Sequence, residues 1–100
     1  MRPLLAVDLI CAGRAVLQMR PRDRKDCADM LVSRAMIADS YRVRSGSVHP
    51  QFGDGTLAEV ARRFGMAPEP TVCDPEFSEA LRDVLCALIA INSVTHRVSE

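Results

Sequence analysis

Tryptophan is missing from this 100-residue sequence, and its aromatics are one tyrosine and three phenylalanines. The core must therefore be packed mainly from aliphatic side chains, with few aromatics. Net charge is missing too, with 13 Lys/Arg against 13 Asp/Glu, so a general affinity for polyanions is excluded. With 48% hydrophobic residues, intrinsic disorder is excluded as well. No apolar run approaches the roughly 18–20 residues a membrane-crossing helix needs. Asp8 and Arg14 interrupt the apolar start at Leu4–Val7 before it could act as a secretory signal. The expected location is the cytoplasm. β-Branched residues never alternate with polar ones, which removes the strand signature and leaves helix.

Recognisable reaction chemistry is also scarce. The cysteines stand at 11, 27, 73 and 86, with no Cys-x-x-Cys pair, and His49 and His96 have no ligand-spaced neighbour. No metal and no cofactor is expected. Phosphate-binding loops, dinucleotide fingerprints and kinase elements do not occur, and no motif places a nucleophile. The expectation is a protein that is not an enzyme and has no catalytic residues.

What the chain does contain is helical periodicity around one glycine-rich stretch. Residues 1–100 are expected to form a single all-α domain, a compact four-helix unit with one ordered connector and one proline-rich strap. Asp8 is placed to cap a first helix over 9–19, with stripe Leu9, Ala12, Gly13, Val16 and Leu17. The polar segment Arg20–Asp26 reads as a solvated helix start, since Asp23 and Asp26 interrupt its basic run. The second helix is expected over 22–44. Its main stripe is Cys27, Met30, Leu31, Ala35, Ala38 and Tyr41, and a narrower second stripe holds Val32, Met36 and Val43. A helix apolar on two sides is central or offers one side to a partner. Arg34 falls within the main stripe. Two readings stay open for it: an aliphatic stem that packs while the guanidinium reaches an edge carboxylate, or an anion site.

Gly46 stops that helix, and the connector Val48–Leu57 follows. Glycines 53 and 55 around Asp54 permit two sharp turns, and Phe52 is expected to bury between the second and fourth helices. Thr56 and Glu59 read as a capping box for a third helix over 57–64, closed by Gly65, with inner face Leu57, Val60, Ala61 and Phe64. Ala67–Val72 is the stiff strap. Asp74-Pro75 restarts the chain as N-cap and first helical residue of a fourth helix reaching about residue 92. Its stripe is Phe77, Ala80, Leu81, Val84, Leu85, Leu88 and Ile91, and it is expected to be the most buried element, followed by a frayed end.

Two resemblances arise from these residues. Thr56–Ala67 resembles the first helix and turn of a helix-turn-helix DNA-binding unit, with Ala61 and Gly65 at the matching positions. Pro68-Glu69-Pro70 then stands where the recognition helix of that family begins, so a nucleic-acid partner is not expected. Over most of its length the chain resembles a family of short uncharacterised bacterial proteins. The residues that carry this are Met1-Arg2-Pro3, Asp8, His49-Pro50-x-Phe52-Gly53-Asp54-Gly55-Thr56-Leu57, Ala67-Pro68-Glu69-Pro70 and Asp74-Pro75. The resemblance implies a helical domain in a bacterial cytoplasm and brings no activity with it.

The function expected is contact with another protein or with a second copy of this chain. One alternative is a helix-turn-helix-like DNA-binding regulator. The other is a small ligand-binding protein using the connector, with Arg34, His49 and Asp54 as contacts; there His49 and Asp54 could orient each other as a base and its partner. Charge is divided along the chain, nine Lys/Arg against five Asp in residues 1–50 and four Arg against eight Asp/Glu in 51–100. Such halves can attract within the fold or between copies.

Overall fold

The computed structural model describes residues 2–71 and 73–99, with the backbone alone for 93–99. Its helices are α1 (Ala6–Leu17), α2 (Arg24–Ser45), α3 (Leu57–Phe64) and α4 (Pro75–Ser99), with a 3₁₀ turn at Pro21–Asp23 leading into α2. The expected all-α, four-helix architecture is the one found. Among the described residues there is no β-strand, and an isolated antiparallel bridge joins His49 to Gly53. Helix α1 packs against α3, and α4 lies across α1 and α2.

The start of α1 differs from the expectation. The helix begins before Asp8, which occupies its third position and is only 3% exposed. One carboxylate oxygen accepts the N–H of Leu5 at 2.8 Å, and the other accepts the N–H of Ala58 at 2.9 Å. Both are amides at helix starts, where no intrahelical carbonyl is available and the helix dipole favours an anion. Asp8 thus serves two helices 50 residues apart. Sequence spacing shows only the nearer one.

Helix α3 has its expected bounds, but half of the expected capping box. The Thr56 hydroxyl accepts the Glu59 N–H at 3.3 Å. Glu59 does not reach back: its carboxylate takes Arg63 at 3.0 Å and Arg62 at 3.7 Å. Asp54 accepts the Thr56 N–H instead, at 2.9 Å.

The far end of α1 is closed by groups from distant segments. Buried Arg24 donates to the carbonyls of Met19 and Leu17, whose dipoles at the negative end of the helix stabilise its charge, and it pairs with Glu76 of α4 at 3.5 Å. The strap after α3 runs extended along α1, with the Ala67 N–H donating to the Arg14 carbonyl at 3.0 Å and Arg14 Nε donating to the Ala67 carbonyl at 2.9 Å. Residues 68–70, where a recognition helix would begin, are non-helical and follow directly on the residue bound to α1.

The core is aliphatic. Leu31, Leu57, Val16, Val32, Val60 and Val84 are its largest fully buried side chains, each stabilising the fold by about 1.5–3 kcal/mol. Around them lie Ala12, Ala15, Ala28, Ala35, Ala61 and Ala80, small enough to let the helices approach closely. Gly13 permits the closest approach of α1 to α4, since a Cβ there would stand 2.6 Å from a Leu81 methyl and 3.0 Å from the Phe77 ring.

Three expectations about the faces need correction. The second stripe of α2 is not uniformly exposed: Val32 is buried, Met36 is half-buried, and Val43 is open to solvent. Helix α4 continues to Ser99 rather than ending near 92. It is not the most buried element, because it lies on one side of the bundle and leaves Leu85, Cys86, Ile89 and Ala90 facing water. Cys86 is thus exposed, whereas Cys11 and Cys27 behave as the small buried hydrophobes expected of them. No helix among the described residues is long and apolar enough to cross a membrane.

Candidate functional site

The connector is shaped by its own backbone first. Gly46 takes a left-handed φ of 73° and ends α2 with its N–H on the Arg42 carbonyl. His49 and Gly53 then exchange both backbone hydrogen bonds, at 3.0 and 3.1 Å, and pinch the loop shut. Inside the pinch, His49 Nδ1 accepts the N–H groups of Gln51 and Phe52 at 3.1 and 3.0 Å. A nitrogen that accepts carries no proton, so the ring proton sits on Nε2. The imidazole braces the connector as an acceptor through the face a general base would use.

Side chains then stack along α2. Tyr41 meets the His49 ring edge-on with centroids 5.0 Å apart, and His49 lies flat on Phe52 at 4.7 Å. The Arg34 guanidinium covers the other side of the column, 5.0 Å from the Phe52 centroid. Tyr41 and Arg34 are seven residues apart, two turns on one helical face, which is why a single column can touch both. Phe52 is half-buried against the core between α2 and α3, rather than between α2 and α4 as its sequence position suggests. Helix α4 lies on the other side of α2.

Asp54 serves a different purpose from His49. Its Oδ1 accepts both the N–H and the hydroxyl of Thr56, at 2.9 and 2.7 Å, and Arg2 lies 3.8 Å from Oδ2. The Thr56 hydroxyl, then the Thr56 N–H, hold this carboxyl below its ordinary value of 3.8. A folded-state value depressed below the unfolded one gives stability that is complete above the ordinary value and lost as pH falls through the depressed one. Urea midpoints measured down through about pH 4 to pH 2 should therefore fall less steeply in Asp54→Asn than in the parent. Identical slopes would remove Asp54 from the acid response.

Among the described residues no hydrogen bond joins His49 to Asp54, and the structure does not bring them together as a base and its partner. It does bring Arg34 together with residues that the sequence did not single out. Arg34, Gln51, Phe52, Val60, Arg63 and Phe64 enclose a recess of about 370 Å³ beside the connector. Arg63 is fixed there by its bonds to Glu59 and to the Pro50 carbonyl at 3.1 Å. In the sequence Arg63 looks like an ordinary partner for Glu59 four residues earlier, and only the fold of the connector reveals its second role. Arg34 is half-buried and its head meets an aromatic ring, and among the described residues no carboxylate pairs with it.

Other chemistry is sparse. Burial pushes the Cys27 thiol above its ordinary value, against a smaller opposing pull from Arg34, so this cysteine is a poor nucleophile. Among the described residues no cluster of three or more His, Cys, Asp or Glu is placed to hold a metal ion.

The chain belongs to the family described as "Domain of unknown function (DUF7742)", whose model matches residues 2–88. That span takes in α1–α3, the connector, the strap and the first half of α4. No curated protein and no solved structure matches the chain.

Proposed function

We propose that this chain acts by contact with a protein partner rather than by catalysis, and that the partner is a second copy of the chain. The observation that supports this is the graded stripe on α2. It begins buried at Val32 and opens through Met36 into an apolar groove of about 420 Å³ whose far wall is Ala87, Ala90 and Ile91 of α4. Val43, 71% exposed, continues the stripe beyond the groove. An apolar surface that emerges from the core and runs along a helix is suited to a like surface. Charge permits self-association: Arg44 lies in the last turn of α2, whereas Glu79 and Asp83 lie along the first half of α4. Two copies, each of zero formal charge, face no net repulsion.

Sedimentation equilibrium at about 10–100 µM, a range in which moderate interfaces are populated, is expected to give the dimer mass. Val43→Glu combined with Ala90→Glu should return the monomer, because each buries an unpaired charge in the contact. Val48→Glu, at an exposed valine of the connector, should leave the dimer intact. A wild-type monomer throughout that range, or dissociation by Val48→Glu alone, would reject the reading.

A further inference from the structure

The recess beside the connector does not depend on self-association, and its chemistry is specific. Arg34 is half-buried on α2, and among the described residues it donates no hydrogen bond and pairs with no carboxylate. Its guanidinium is held by the Phe52 ring, which offers a π-face and accepts none of its in-plane N–H donors. Arg63 stands across the recess, oriented by Glu59 and the Pro50 carbonyl. Glu59 is shared with Arg62, so three guanidinium groups and one carboxylate lie around this corner of α3 and α2. The local balance is positive in a chain of zero net charge.

Aromatic and aliphatic groups complete the walls. Phe52, Phe64 and Val60 supply apolar surface, and Gln51 adds an amide that can donate or accept. A recess of about 370 Å³ holds more than a bare inorganic anion. Its design is that of small-molecule sites in general, apolar walls with a few convergent polar groups.

We propose that this recess binds an oxyanion, carboxylate or phosphate, borne by a small organic molecule. The anion bridges Arg34 and Arg63, and the organic body lies against Phe64 and the edge of the Phe52 ring, whose faces His49 and Arg34 occupy. Arg34 supplies a planar fork suited to two oxygens of one group. Phe52, stacked in turn on His49, keeps that fork in place before any ligand arrives, which lowers the ordering cost of binding. His49 is in this scheme a positioning residue: it touches Phe52, and Phe52 touches Arg34.

The test is a titration followed by NMR of backbone amides and arginine Nε–Hε groups, with phenyl phosphate, benzoate and inorganic phosphate as probes. Saturable shifts at Arg34, Arg63 and Gln51 are expected with phenyl phosphate or benzoate, and whichever binds more tightly identifies the oxyanion. Affinity should fall about tenfold or more in Arg34→Gln, the loss of one charge-assisted fork. Arg34→Lys should recover only part of it, because charge returns without the fork. Arg63→Gln, at an exposed position, provides a second variant that keeps the fold should Arg34→Gln perturb it. Arg82→Gln, exposed on α4 and away from the recess, should bind as the parent does. Shifts that rise linearly without saturation would overturn the proposal, as would equal losses in Arg82→Gln and Arg34→Gln. Binding confined to an acidic peptide, with both organic probes inert, would overturn it as well.

Discussion

Replacing Asp8 with alanine is expected to remove about 3 kcal/mol of stability, the largest loss for any polar side chain in this fold. The residue is buried, and both carboxylate oxygens are engaged by backbone amides at 2.8 and 2.9 Å. Hydrogen bonds to a charged group contribute about 1.5–3 kcal/mol each, and a buried amide left without a partner carries its own desolvation cost. The Ala58 amide would be such a group, since alanine cannot reach it and Ala58 is itself buried. A domain of this size has about 5–15 kcal/mol in total, so the variant should unfold at a much lower urea midpoint. Asp8→Asn separates charge from geometry. Its amide oxygen can accept one N–H, but the NH₂ would face the other N–H, donor against donor. The asparagine variant should lie between the parent and alanine. Equal midpoints for parent and alanine would mean that the two helix starts are held by packing alone.

Gly55→Ala should be of similar size, about 2–4 kcal/mol, for two reasons that add. Its φ is 93°, in the left-handed half of the map, and a Cβ there would stand 2.8 Å from the Asp39 Cα and 3.1 Å from its backbone nitrogen. Those atoms belong to the rigid backbone of α2, so the connector must lift away from the helix. Gly46 provides the control. It too has positive φ, 73°, but an added Cβ meets nothing within 4 Å. Gly46→Ala should therefore show the conformational penalty alone, about 1–2 kcal/mol. If the two substitutions cost the same in urea denaturation, close approach to α2 contributes nothing.

These two residues also mark where the sequence was legible and where it was not. Helix α3 could be bounded at both ends because its signals, Thr56 and Gly65, are adjacent to it in the chain. The start of α1 could not, because its main anchor sits inside the helix and its second partner is 50 residues away. Asp8 was legible as a helix-start residue, but its position within the helix was not. The second stripe of α2 was visible as a period. Whether α4 would cover Val32 and leave Val43 bare depends on where two helices cross, and periodicity carries no information on that. At the candidate site, Arg34 stood out as a cation on an apolar face. Its partner did not, since the ring of Phe52 reaches it only after the His49–Gly53 pinch has turned the connector back onto α2.

The reciprocal Arg14–Ala67 latch bears on the order in which the chain can assemble during its synthesis. Helices α1–α3 are complete in sequence once residue 67 has left the ribosome, and the latch residues Arg14 and Ala67, the latter at the start of the strap, are then both available. Helix α4 is still to come, and with it the cover for the faces of α1 and α2 on which it packs. For that interval Gly13 and Val32, with their surroundings, lack the cover that α4 gives them in the folded chain. The two prolines of the strap, Pro68 and Pro70, restrict how far α4 can wander before it docks. Closing the core is thus left to a helix translated after the other three, on a tether fastened at its near end.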